Sequence, residues 1–529
     1  MSRKERVVME MHELRSVGRS LIGDHTLTYH QRVARLANLA EEALDAPAVS
    51  EACAAALNKR IICDMFEGHA PYRARYLLPD YQLAIQQGSQ YLELDAPTDL
   101  NEALWFLMAM YTQVPSITGY PVYLGDLDNV LAPFTVGMTV GDVVSALRPF
   151  WRALDRILPD AFVHVNIGPD DSVMARAVLQ LERELKQVVP NVTLKVDRKR
   201  TPDDLLLDAV RTVFESGHPH FVNHEMMVSD LGDRYGVVSC YNSLPIGGGA
   251  HTLVRLNLAE LVRSHTGDVQ AFFDVALVRY VELASELIEA RVRYLVEDAH
   301  FYDHLWLIDE GLISLDKFSA MFGVFGLAEA VDQLMLMQGL SGTYGNDKMA
   351  NELSYRITGE VAALVANRPL PYCDANAGRA FLHSQSGIDS DIGVTAGTRI
   401  AVGSEPGVYE HIRAVAPHHY LFESGVSDVF HLESTARANP ESVVDIIRGA
   451  FREGMRDFTF NLDSNDFIRI TGYLVRKSDL EHIADGVRHS STLLGAATEA
   501  ASHVTWRRPK RMVSHERASA PAALFGAPV

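Results

Sequence analysis

Cysteine is scarce: the 529 residues hold four, Cys53, Cys63, Cys240 and Cys373, and no two of them form a Cys-x-x-Cys pair. That excludes a disulfide-stapled scaffold and a cysteine-rich zinc or redox module, so each thiol is judged alone. Positive charge is also short, with 48 Lys+Arg against 68 Asp+Glu and a net charge of −20. A balance of that sign argues against broad binding to nucleic acid or to an anionic membrane surface. No apolar run approaches the roughly eighteen residues of a membrane span. The opening Met1-Ser2-Arg3-Lys4-Glu5-Arg6 leads into mixed charged and apolar residues without the features of a secretory signal, so a cytoplasmic protein is expected.

What is present is an ordinary globular composition, 47% hydrophobic, and a change of texture along the chain. Up to about residue 115 the apolar spacing is helical, notably over 29–46 and 100–111. Asp99 caps the second of these and Glu102 falls in its first turn. From about residue 116, short β-branched runs alternate with helices: strand 161–167, helix 171–188, strand 191–196, then a helix begun by Thr201 as capping hydroxyl and Pro202 and stopped at Gly217. An extended segment follows from His220. Longer helices are expected over 269–296 and 346–364, strands at 398–402, 429–432 and 457–461, and a helix over 440–453. This alternation predicts an α/β fold, a sheet wrapped by helices, as one large unit. The cationic cluster Arg507, Arg508, Lys510 and Arg511 lies in a Ser/Ala/Pro/Gly-rich tail, 506–529, read as solvated.

Two segments carry chemistry. Asn465-Asp466-Phe467-Ile468-Arg469-Ile470-Thr471-Gly472-Tyr473-Leu474-Val475 places a glycine between an arginine and an aromatic residue. A lone glycine there would read as a turn or bulge. The order Arg-apolar-x-Gly-aromatic, late in the chain, resembles the radical loop of glycyl radical enzymes. Glycine suits that role because an unsubstituted Cα radical can flatten and delocalise into the two flanking amides. The second segment is the strand-like Tyr235-Gly236-Val237-Val238-Ser239, ending in Cys240 and a turn-forming Tyr241-Asn242-Ser243-Leu244-Pro245. Alone, Cys240 would read as a buried structural thiol. With Gly472 in the same chain it becomes the expected radical carrier.

Upstream, Gly217-His218-Pro219-His220-Phe221-Val222-Asn223 is similar to the strand that precedes the cysteine loop in many glycyl radical enzymes. The segments Ser239–Ala250 and Phe467–Asp479 further resemble the YjjI-type branch, which is related to pyruvate formate-lyase and anaerobic ribonucleotide reductase. The resemblance implies a ten-stranded α/β barrel of two antiparallel five-stranded half-barrels surrounded by helices, with the Cys240 and Gly472 loops meeting inside. It divides the chain into a helical region packed on the barrel (1–115), the barrel (116–465), the radical loop and a helix (466–505) and the tail. It implies an oxygen-sensitive homodimer with no permanently bound cofactor. The glycyl radical would be installed anaerobically by a separate radical-SAM enzyme that carries an iron–sulfur cluster and uses S-adenosylmethionine. Arg469, Thr471 and Tyr473 would support the loop. A thiyl radical on Cys240 would take hydrogen from a small organic substrate.

Departures from the family narrow the reaction. Cys240 is flanked by Ser239 and Tyr241, so the paired cysteines of pyruvate formate-lyase are missing. Asn242 stands where the eliminases carry a glutamate base, and an amide cannot take that proton. No cysteine follows Cys373, so the zinc module of anaerobic ribonucleotide reductases is absent. Glu225, Asn242, His251 and Glu405 are the candidates for substrate contact, and His411 is a further possible acid/base group. No metal site is expected: the histidines 218, 220 and 224 are better explained by a barrel strand, and His300 with His304 by a helix face. The glycine-rich segments 247–249 and 403–407 are read as ordinary turns, the second opening a helix. The alternative is a non-catalytic barrel with vestigial loops, acting as a binding or scaffolding protein.

Overall fold

The computed structural model describes residues 11–24, 27, 29–41, 44, 47–65, 70–117, 123–157, 163–238, 240–384, 391, 393–469 and 474–478. In chain order the strands are β1 (Ile62–Asp64), β2 (Tyr76–Leu78), β3 (Tyr123–Asp126), β4 (His164–Ile167), β5 (Asn191–Val196), β6 (His220–Asn223), β7 (Tyr235–Val238) and β8 (Asn242–Pro245). They continue as β9 (Gly248–Asn257), β10 (Phe318–Phe325), β11 (Phe381–Ser384), β12 (Phe430–Leu432), β13 (Asp457–Phe458), β14 (Phe460–Leu462), β15 (Phe467–Arg469) and β16 (Leu474–Arg476).

Two five-stranded sheets organise the protein. The first has the order β13-β6-β5-β4-β3, with β3 to β6 parallel and β13 antiparallel at the edge. In the second, β9, β10 and β11 run parallel, and β9 also pairs antiparallel with β1 and β2. Among the described residues no ladder joins the two sheets. The helices Val140–Arg156, Val173–Leu185, Asp203–Ser216 and Pro440–Arg452 lie side by side along the first sheet, and Val278–Arg293 packs on β9 and β10 of the second. No helix among the described residues is long and apolar enough to cross a membrane.

The strand β5 shows how the first sheet is built. Its sequence alternates polar and apolar residues, a pattern usually read as half-exposed, yet every residue is buried. Successive side chains face opposite sides. Val192, Leu194 and Val196 therefore share one face. Asn191, Thr193 and Lys195 share the other, where each meets a polar partner: Arg469, His220 and Asp126. That polar face, continued by His164 and Asn166 of β4, receives the functional hairpins.

Local signals were honoured where the backbone geometry allowed. Asp99 Oδ1 accepts the Glu102 N–H at 2.9 Å, and Gly217 ends its helix with φ 75°. Three expectations are corrected. Thr201 does not cap the helix Asp203–Ser216; its hydroxyl donates to the Pro169 carbonyl at 2.7 Å and accepts from the Asp197 N–H. The helix over 269–296 is interrupted by π-helical turns at Phe272–Leu277 and Tyr294–Asp298. The wider first turn lets the adjacent Phe272 and Phe273 both reach the core. The stretch 398–402 forms no strand, because side chains take its backbone groups: Thr398 N–H donates to Ser384 Oγ, and Tyr344 donates to the Thr398 carbonyl.

Candidate active site

Strands β7 and β8 form a hairpin in register Val238↔Asn242, with Cys240 in its tip. The β7 strand packs on β3 and β4, and β8 packs on β9, so the hairpin lies between the two sheets. It is sewn to the polar face of the first sheet by side chains that replace a strand partner. Asn166 Nδ2 donates to the Val237 carbonyl at 3.0 Å, and the Val237 N–H donates to Asn166 Oδ1 at 2.8 Å. Lys195 Nζ donates to the Tyr235 carbonyl and to Asp126 Oδ2. Cys240 is 7% exposed and unoxidised.

The residue after it, Tyr241, has φ 66°, a conformation that non-glycine residues seldom adopt. Its neighbours hold it there. The Tyr241 ring meets the His220 ring edge-on with centroids 4.5 Å apart. A Cβ on Gly425 would collide with the Tyr241 carbonyl oxygen, so only glycine fits at that point, where φ is 109°. The next turn interlocks with the hairpin: Ser243 N–H donates to the Ser424 carbonyl at 2.9 Å, and Ser424 Oγ donates to the Ser243 carbonyl at 3.0 Å. His383, at the end of β11, hydrogen-bonds the Ser424 carbonyl through Nδ1 at 3.0 Å and interacts with the Cys240 backbone. Burial holds its imidazole down at about 4, hence neutral. Asp457 accepts the Val426 N–H, and burial pushes its carboxyl up to about 7.

The glycine-bearing hairpin is β15–β16, paired in register Arg469↔Leu474. Ile470, Thr471, Gly472 and Tyr473 lie outside the described residues. The base of this hairpin is fixed by Arg469, 2% exposed. Asn461 brackets its backbone with two hydrogen bonds, at 2.7 and 2.8 Å. The guanidinium donates to Asn191 Oδ1 and to the Gly217 carbonyl, and lies 3.0 Å from His218 Nδ1. Burial and the nearby Arg469 charge hold His218 well below the usual histidine range, so the ring can accept from Arg469.

The two hairpins approach each other over one face of the first sheet. The cysteine hairpin starts beside Lys195, near the C-terminal end of β5, and its tip reaches His220. The glycine hairpin is anchored at Asn191, the first residue of β5, and at Gly217 and His218, just before β6. His218 and His220 are two residues apart in the chain. The positive charge of Arg469 reaches Tyr241: burial pushes that phenol up, and Arg469 pulls it back.

Behind Arg469 lies a buried carboxyl. Glu182 Oε1 accepts the Trp151 indole N–H at 2.6 Å, and Oε2 stands 4.0 Å from His218 Nε2, beyond hydrogen-bonding reach. Burial pushes Glu182 up to about 8, against the opposing pull of Trp151 and Arg469. Its native pKa lies above the unfolded value, so its contribution to stability is full below about 4.5 and is lost as the pH rises through about 8. Glu182→Gln keeps an oxygen for Trp151 and removes that loss. Urea unfolding midpoints should therefore diverge in favour of the variant between about pH 5 and pH 9. Parallel profiles would show that the carboxyl does not titrate in this window.

The remaining sequence candidates are dispersed. Asn242 is fully buried beside Cys240. His251 is buried in β9, with Nδ1 2.7 Å from the Tyr302 hydroxyl and Nε2 2.8 Å from the Tyr372 carbonyl; burial lowers it to about 4. Glu225 lies in the first turn of the helix His224–Leu231, exposed and 3.9 Å from Arg198. Glu405 accepts the Gly403 N–H in a surface turn before the helix Val408–His419. His411, in that helix, lies 3.4 Å from the buried Asp428. The histidines of the 218–224 stretch go to separate partners: Arg469 for His218, Thr193 for His220 and Tyr235 for His224. His300 is not one helical turn from His304: with φ 50° it sits in a turn, bonded to Asp303. His383, Ser424, Gly425 and Asp457 were missed, since nothing in their local sequence says that they pack around residue 240.

The same fold is found in solved glycyl radical enzymes. The anaerobic ribonucleotide reductase of Thermotoga maritima in complex with dATP and CTP superimposes with a TM-score of 0.68 at 11% identity, covering 88% of this chain and 92% of that one. Hydroxyproline dehydratase (HypD) of Clostridioides difficile gives 0.58 at 12% identity, covering 85% and 82%. Residues 27–510 match the family described as "Glycyl radical enzyme YjjI-like". The chain is also 44% identical over 501 residues to the Escherichia coli (strain K12) "Uncharacterized protein YjjI", covering 94% of this chain and 96% of that protein. It belongs to the YjjI-like family of glycyl radical enzymes.

Proposed function

We propose that this protein is a radical enzyme in which Gly472 stores an unpaired electron and Cys240 delivers it to a small organic substrate. The two five-stranded sheets are read as the halves of one ten-stranded barrel, and the protein as a homodimer. The observation that carries the proposal is the convergence of the two hairpins, linked through Arg469, His218, His220 and Tyr241.

The chemistry balances with one hydrogen atom. A separate radical-SAM enzyme removes a hydrogen atom from Gly472, leaving a Cα radical spread over two amides. That radical takes the hydrogen atom of the Cys240 thiol, which restores glycine and leaves a thiyl. The thiyl takes hydrogen from a substrate C–H bond and becomes a thiol again. After the substrate radical has reacted, the product radical takes the hydrogen back from the thiol, and the thiyl left behind takes a hydrogen atom from Gly472, which restores the stored radical. The interior around Cys240 contributes a dry enclosure and orientation.

Activation under strict anaerobiosis should give a doublet electron paramagnetic resonance signal. Air should then cut the chain at residue 472, releasing a fragment from the 529 − 472 = 57 residues that follow, visible by mass spectrometry. An intact chain and no signal, with an activating enzyme that is itself active, would contradict the proposal and favour a non-catalytic barrel.

A further inference from the structure

Asn242 closes the cysteine hairpin opposite Val238 and is fully buried. Its Nδ2 donates to the Val238 carbonyl at 3.3 Å. This fixes the amide, because turning it over would set two carbonyl oxygens against each other. The opposite end, Oδ1, is left buried with no hydrogen-bond donor among the described residues. An acceptor shut away from water without a donor is costly, and native proteins seldom leave one so unless a ligand or water completes it. Two residues away is the sulfur of Cys240.

We propose that Asn242 Oδ1 is a substrate-recognition group, and that the substrate is a small molecule presenting a hydroxyl or amine hydrogen to it. The inference rests on the radical reading of the same site. An amide oxygen attracts O–H and N–H donors and repels carboxylate and phosphate oxygens. A carbon bearing oxygen or nitrogen also yields its hydrogen readily, since the heteroatom lone pair delocalises into the radical formed. Binding the donor at Asn242 therefore brings an easily abstracted hydrogen to Cys240. Asn242 takes no proton itself, so the donor keeps its hydrogen at this contact.

The test uses the activated full-length protein in D2O with 1,2-propanediol, ethanolamine or 1,2-dimethoxyethane as probe. Cys240 takes hydrogen from a probe carbon, its thiol hydrogen exchanges with solvent, and deuterium returns to the same carbon, to be read by mass spectrometry. The diol and the amine should be labelled at least about tenfold faster than the ether, which has no donor. Asn242→Leu and Asn242→Ala should slow diol labelling by about ten- to hundredfold while the glycyl radical signal, a single line after exchange in D2O, keeps its wild-type intensity. Equal labelling of diol and ether overturns the inference without need of any variant. So does unchanged labelling in the variants, or no labelling of any probe by a protein whose radical exchanges with D2O. A wild-type protein without a doublet, or without that exchange, instead removes the radical reading on which the inference stands.

Discussion

Gly472→Ala is expected to abolish the radical signal completely, and with it the cleavage of the chain by air, while leaving the fold intact. The methyl group matters for two reasons. It hinders the flattening that lets the unpaired electron spread into the neighbouring amides, and it adds bulk at the tip of a hairpin whose stem is already packed. Phe467, Arg469 and Leu474 are all buried, and Leu474 and Phe467 crowd against Gly217. The substitution lies in a four-residue connection, beyond the paired residues Arg469 and Leu474, so the stem contacts should survive. Circular dichroism and thermal unfolding should be close to wild type. A doublet that persists in the alanine variant would remove Gly472 from the scheme.

Cys240→Ser is expected to have the opposite signature: full radical storage and no chemistry. The serine O–H bond is too strong for a delocalised glycyl radical to break, so the relay stops at its first transfer. Substrate turnover and probe labelling should fall to background, a larger effect than any loss of a positioning contact. The other thiols are not placed to substitute. Cys53 lies in the helix Glu51–Asn58, where its Sγ contacts the Leu283 carbonyl, and Cys63 is in β1. Burial pushes the Cys373 thiol up to about 11 beside Ser319 and Ala320 of the second sheet. Retained labelling in the serine variant would assign the carrier role elsewhere.

The parts of the fold legible in the sequence were those written in local chemistry. The strand Asn191–Val196, the strand leading to Cys240 and the capped helix after Asp99 were found because alternation, turn residues and a capping carboxylate act over a few residues. The family was legible because the residue types of the glycine and cysteine segments have few other uses in that order. What was not legible depends on partners far along the chain. Thr201 was drawn from its cap by Pro169, 32 residues back. His251, a sequence candidate for substrate contact, is held by Tyr302 and Tyr372, 51 and 121 residues away. The enclosure of Cys240 by His383 and the 424–428 turn is likewise a long-range product, and no periodicity reports it.

The polar alternation of β5 carries a related lesson. Read locally, it suggests a strand with one face toward solvent. In the structure both faces are buried, and the polar one seats two hairpins: Asn191 holds the glycine hairpin through Arg469 and Lys195 holds the cysteine hairpin through the Tyr235 carbonyl. A buried polar strand face is therefore the physical trace of the two hairpins packed on it.

The most direct test of the central claim, that the electron passes between Gly472 and Cys240, needs no substrate. The glycyl radical carries one hydrogen on its Cα, and that hydrogen splits the paramagnetic resonance signal into a doublet. In D2O the thiol carries deuterium, which it gives to the glycyl radical; when the thiyl then takes back the hydrogen instead, the radical that returns is deuterated. The doublet of the wild-type protein should collapse to a single line in D2O, and that of Cys240→Ser should persist unchanged over the same time. A wild-type doublet that persists in D2O, or a serine variant that collapses as fast as wild type, would contradict the account.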